Sequence, residues 1–212
     1  MNVRSSIVAI CLLAWVVSAS AQPGSHNGQL QQVTTVSGTV AEWTYNDDFE
    51  YDGLYLYSDD TKSLVKFPPH LAQQVRSLGN QLTVSGEIRK NPKGVQELKM
   101  TSISGNGQTV NDQKPVPRTT PVQEPFVHGE GKISQVQINA KGDVHGYIVA
   151  DSIILRIPPH TAKQLSQLIR KGTETTYTGI EKALNPGHVR AFDYKIIHVQ
   201  TISVNGTQYM VR

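Results

Sequence analysis

Phe67-Pro68-Pro69-His70 recurs, at an offset of 90, as Ile157-Pro158-Pro159-His160. Matches extend outward on both sides. Upstream, Gly38-Thr39-Val40 answers Gly131-Lys132-Ile133, and Gly53-Leu54-Tyr55-Leu56 answers Gly146-Tyr147-Ile148-Val149, both at an offset of 93. Downstream, Gly86 answers Gly179, and Ile103-Ser104 with Asn106-Gly107 answers Ile202-Ser203 with Asn205-Gly206. The offset drifts because short insertions and deletions fall in turns, where duplicated modules tolerate them. One module is present twice, over 33–108 and 127–209. Between them, 109–126 contains Pro115, Pro117, Pro121 and Pro125 and no apolar period, the composition of a semi-extended linker.

Each copy predicts the same elements. A β-branched first strand (34–43; 127–138) precedes a loop and a second strand (53–57; 146–150). A turn leads to a third strand (63–67; 153–157), which the Pro-Pro pair ends by removing two amide donors. A short helix follows: Leu71, Val75 and Leu78 form one apolar stripe, and Ala162, Leu165, Leu168 and Ile169 form its counterpart. Gly79 and Gly172 stop the helices. Fourth strands (81–88; 174–180) and fifth strands (95–103; 194–204) complete each copy. Five strands with one helix between the third and fourth is the order of an oligonucleotide/oligosaccharide-binding (OB) barrel. The expected fold is mainly β: two tandem five-stranded OB-like barrels, each with one short helix between strands three and four. The Gly-Leu-x-Leu run at 53–56 with Phe-Pro-Pro-His and a short helix resembles exported bacterial OB-fold-like proteins. That resemblance spans both copies and implies the fold, not an activity.

Residues 1–21 read as a secretory signal. They hold one positive charge at Arg4, an apolar run from Ile7 to Val17, and Ala19-Ser20-Ala21 before Gln22. A spanning anchor needs about 20 apolar residues, and Ser18 cuts this run short. The only cysteine, Cys11, lies inside the signal, so cysteine catalysis and cysteine metal sites are excluded from the exported chain. A disulfide-free export points to a bacterial periplasm or exterior. Residues 22–32 form a polar arm. The net charge of +3 is too small to mark a dedicated nucleic-acid or membrane-surface protein.

Three groups of residues are candidates for chemistry. In the first, the loop after the fourth strand is basic in both copies: Arg89, Lys90 and Lys93, then Lys182, His188 and Arg190. OB barrels bind polymers between this loop, the loop after strand one and the face of strands two and three. Tyr45, Tyr55, Tyr57 and Tyr147 can supply rings for stacking there. In the second, strand pairing brings Asp52 toward His70 and His145 toward His160, two two-ligand sets that fall short of a full zinc site. A structural Asp–His hydrogen bond is the simpler reading. The third is the acidic loop Asn46 to Asp52, whose counterpart at 139–145 is not acidic. Residues 33–104 carry seven basic and nine acidic groups, net −2, and residues 126–205 carry nine and six, net +3. Opposite signs favour docking of the copies on each other or head-to-tail contact between chains, and make copy two the better binder of an anionic polymer.

No nucleophile elbow, phosphate-cradling loop or metalloprotease helix is present, and no motif implies a cofactor. The sequence predicts an exported, non-enzymatic binding protein of the cell envelope. Its ligand is a polymer, an anion or an envelope protein, with nucleic acid weakly supported. A metal-responsive module using the Asp/His side chains is the alternative.

Overall fold

Among the described residues, twelve strands fold as two closed barrels of the same design. The computed structural model describes residues 32–58, 60–91, 94–115, 124–139 and 141–211. The signal, nearly all of the polar arm, Lys93 and the centre of the proline-rich linker lie outside them. Barrel one contains β1 (Thr34–Tyr45), β2 (Tyr51–Ser58), β3 (Thr61–Lys66), β4 (Gln81–Lys90), β5 (Gln96–Gly105) and β6 (Gln108–Asn111). Barrel two repeats them as β7 (Phe126–Ile138), β8 (Val144–Val149), β9 (Ile153–Arg156), β10 (Glu174–Glu181), β11 (Lys195–Val204) and β12 (Thr207–Met210). The first wall runs β3-β2-β1-β4-β5, and parallel pairing of β3 with β5 closes it. The second closes identically through β9 and β11. Both are OB-like barrels.

Closure by a parallel pair requires a crossover, and the helix supplies it. Pro68 and Pro158 precede the helical turns, with Pro69 and Pro159 at the first helical positions, where a missing N–H costs nothing. In barrel one a 3-10 turn at Pro69–Leu71 leads into α1 (Ala72–Ser77); in barrel two α2 spans Pro159–Leu165. Leu71, Val75 and Leu78 are buried, as are Ala162, Leu165 and Ile169. Leu168, expected in the second stripe, is 41% exposed, because α2 ends at Leu165 and the following turn swings it outward. Gly79 and Gly172 end the helices at φ 85° and 88°, the left-handed conformation that glycine adopts without penalty.

A sixth strand was not anticipated. Asn106-Gly107 and Asn205-Gly206 both have positive φ, the two-residue turn that suits a twisted hairpin. They return the chain along β5 and β11 and bury Val110 and Val211 against the cores. Residues Gln32–Arg212 form one compact unit.

Candidate functional site

Period-two alternation decides what each barrel presents outside. In β8, Tyr147 and Val149 enter the core, so Ile148 between them faces out. Register places Ile148 beside Ile154 of β9, and Ile154 beside Ile196 of β11. This outer row is nonetheless buried, because Phe49 of barrel one and Tyr194 pack over it. In barrel one the matching positions are Tyr55 and Leu64, paired across β2 and β3. They form part of an open face.

The cover on barrel two is the acidic loop, residues 46–50. Asn46 shapes it by accepting the amide hydrogens of Asp48 and Glu50 through its side-chain oxygen. Asn139 does the same for Lys141 and Asp143 in the sister loop. The two loops share one backbone, with a left-handed residue at the same place: Gly142 at φ 87° in one and Phe49 at φ 57° in the other. A bulky residue there is strained, at a cost of about 1–3 kcal/mol. The Phe49 ring contacts the isoleucine row and meets Tyr194 at 4.8 Å, Tyr45 at 5.2 Å and Phe192 at 5.4 Å between centroids.

Charges lock the loop in place. Asp48 accepts from Arg156 Nε at 2.7 Å and from Lys182 Nζ at 2.6 Å. Arg156 also donates to Gln137 Oε1 at 2.7 Å and to the Asp47 carbonyl. Gly146 keeps the space beside this guanidinium open, since a Cβ there would overlap the Leu155 carbonyl oxygen at 2.7 Å and crowd Arg156 Nη1 and Gln137 Oε1 at 3.1 Å. Glu50, with a side chain only 4% exposed, contacts His188 Nδ1 at 3.0 Å. The long loop 182–194 closes over the other side. Ala191 N–H donates to the Phe49 carbonyl, Tyr51 N–H donates to the Val189 carbonyl, and Gln73 N–H donates to the Gly187 carbonyl. Gly187 sits so close to barrel one that a Cβ would overlap the His70 carbonyl oxygen. The docking expected from opposite charges is present, at atomic detail.

These contacts set two protonation equilibria. Burial opposes ionisation of Asp48, but hydrogen bonds and charge from Lys182 and Arg156 outweigh it and hold the carboxyl below its ordinary 3.8. Burial lowers the His145 imidazole below 6.5, and the nearby Arg156 charge adds to the effect. In both cases the unfolded chain takes up the proton first. Stability is therefore complete above the unfolded value and falls as pH drops through the folded one. Thermal melting should decline in two stages, below about pH 6.5 and again below about pH 3.8. The first stage should be shallower in His145→Gln, the second in Asp48→Asn.

Several sequence expectations change. Tyr147 is fully buried in the core of barrel two and cannot stack on a ligand, since it aligns with inward Leu54 rather than with Tyr55. Lys182, His188 and Arg190 lie in the seam; Arg190 donates to the carbonyls of Tyr194 and Lys182 and pairs with Glu50 as an isolated antiparallel bridge. Copy two's basic loop is thus engaged with copy one. Asp52 pairs with Lys66 at 2.5 Å and accepts from Thr44, while His70 Nε2 contacts the Gln113 carbonyl at 2.8 Å. His145 lies 3.8 Å from Asp47, across the seam, and His160 is the second residue of α2. Among the described residues, no three His, Cys, Asp or Glu side chains are placed to hold a metal. Tyr57 (49% exposed), Arg89 and Lys90 remain on the surface of barrel one with half-buried Tyr55. Arg89 pairs with Glu87 at 2.6 Å, and Lys62 lies 4.1 Å over the Tyr55 ring. Among the described residues, no helix is long and apolar enough to cross a membrane.

No family model and no curated protein matches the chain. Among solved structures it is similar to the wild-type single-stranded DNA binding protein from Thermus aquaticus. The identity is 14%, the match covers 82% of this chain and 92% of that one, and the TM-score is 0.26. A deletion mutant of the same protein gives 15% identity, 82% and 94% coverage, and a TM-score of 0.26. At that level of superposition the likeness carries no functional argument.

Proposed function

We propose that the protein is an exported, non-enzymatic binding protein of the cell envelope, periplasmic or secreted, whose open ligand surface belongs to barrel one. One observation supports this reading. The two equivalent outer faces have unequal fates: that of barrel two is covered by residues 46–50, whereas that of barrel one keeps Tyr55 and Tyr57 on its surface, and Arg89 and Lys90 are exposed at the end of β4. Rings on a strand face, with cations at a strand end of the same barrel, suit a polymer whose units carry flat faces and negative charge.

The test is retention on immobilised single-stranded DNA and on an anionic glycan over a salt gradient. Tyr55→Ala/Tyr57→Ala should lower affinity about 10-fold to 100-fold, as expected for loss of one or two stacking contacts. Arg89→Ala/Lys90→Ala should flatten the salt dependence. Lys182→Ala should leave both unchanged. Retention that ignores salt rejects the polymer reading and leaves a protein partner as the ligand. Loss of binding in Lys182→Ala alone would move the surface to barrel two.

A further inference from the structure

Barrel two carries a complete recognition site that is filled from within the chain. It reads three features of its occupant. Arg156 and Lys182 clamp one carboxylate, and His188 receives a second two residues later. Between them an aromatic ring enters the row Ile148, Ile154 and Ile196 beneath Tyr194. Loop 182–194 pairs with the occupant's main chain on either side of Glu50.

The resident fits imperfectly. Among the described residues five buried side-chain polar atoms lack a direct hydrogen bond within the chain, and four of them lie here: Glu50 Oε1, which has Lys182 Nζ at 3.8 Å, both ring nitrogens of His145, whose Nε2 is 3.8 Å from Asp47, and Arg190 Nε. Phe49 enters only by adopting a left-handed backbone. The repeat does not require the contact, because the sister loop has Lys141 and Gly142 where this one has Asp48 and Phe49.

We propose that the outer face of barrel two is a receptor for an acidic protein segment with an aromatic residue between two carboxylates, and that residues 46–50 occupy it until such a segment of a partner protein displaces them. A partner peptide can repeat the carboxylates and the ring while adding an acceptor for Arg190 Nε and a hydrogen-bond partner for the His145 ring. A polynucleotide has no counterpart to the main-chain pairing at Phe49 and Tyr51. Being tethered, the resident loop competes at a high effective concentration, so only a well-matched segment opens the site.

The experiment compares the unaltered chain with Asp48→Lys/Phe49→Gly, which gives this loop the residues of its sister. The probe is a fluorescein-labelled peptide with the sequence of residues 44–52, followed by anisotropy. The altered chain should bind at least 10-fold more tightly than the unaltered one, and adding Lys182→Glu should abolish the gain. A folded double variant that ignores the peptide overturns the proposal. So does equal binding by both chains, a gain that survives Lys182→Glu, or preference for a single-stranded oligonucleotide over the peptide. If the double variant does not fold, Phe49→Gly alone is judged by the same criteria. Tyr55 and Tyr57 take no part, so the outcome is separable from that of the barrel-one surface.

Discussion

Phe49→Ala will destabilise the protein more than Phe49→Gly, the reverse of the order expected for a buried ring. Either substitution uncovers Ile148, Ile154 and Ile196, each at most 3% exposed in the native protein, and breaks the contact with Tyr194. Removing a partly buried aromatic side chain costs about 3 kcal/mol. Alanine keeps a Cβ at φ 57°, whereas glycine occupies that conformation freely and recovers about 1 kcal/mol. Urea unfolding should therefore place the midpoints in the order wild type, glycine variant, alanine variant. If alanine is the milder change, the left-handed backbone at 49 is not a source of strain.

Arg156→Ala should cost about 3 kcal/mol, as much as the loss of Phe49. The guanidinium joins Asp48, the Asp47 carbonyl and Gln137, and without it the Gln137 amide oxygen is left in a side chain only 8% exposed. Lysine at this position restores the charge but not the planar fork, whose three separate nitrogens reach the three acceptors, and should recover less than half of the loss. A double-mutant cycle of Arg156→Ala with Asp48→Ala should give a coupling of about 1–2 kcal/mol. Additive effects would show that the clamp contributes nothing beyond separate burial of its members.

The duplication was legible because Pro-Pro-His and the flanking glycines occupy positions where the backbone tolerates few alternatives. Asp47 and Asp48 stand out because the sister loop has Ala140 and Lys141 in their places, and the opposite charges of the copies point to docking. The binding residues were harder to place. Tyr147 reads as a surface ring until strand phase is applied: its aligned partner is Leu54, so it points inward. Phe49 and Arg156 escaped notice because their roles depend on a neighbour more than a hundred residues away. A signal did exist, in that Phe49 stands opposite Gly142 and Arg156 opposite Lys66. The sixth strands had a signal in Asn106-Gly107 and Asn205-Gly206, since Asn-Gly between apolar runs marks a hairpin.

Gly187, at φ 78° with the His70 carbonyl where its side chain would be, acts as a shim whose thickness is one hydrogen atom. Any larger residue becomes a wedge, prising apart the two halves without touching a charge or a ring. The mutual orientation of the duplicated halves is gauged by the smallest group in the molecule, on a loop that the first half has no room to match.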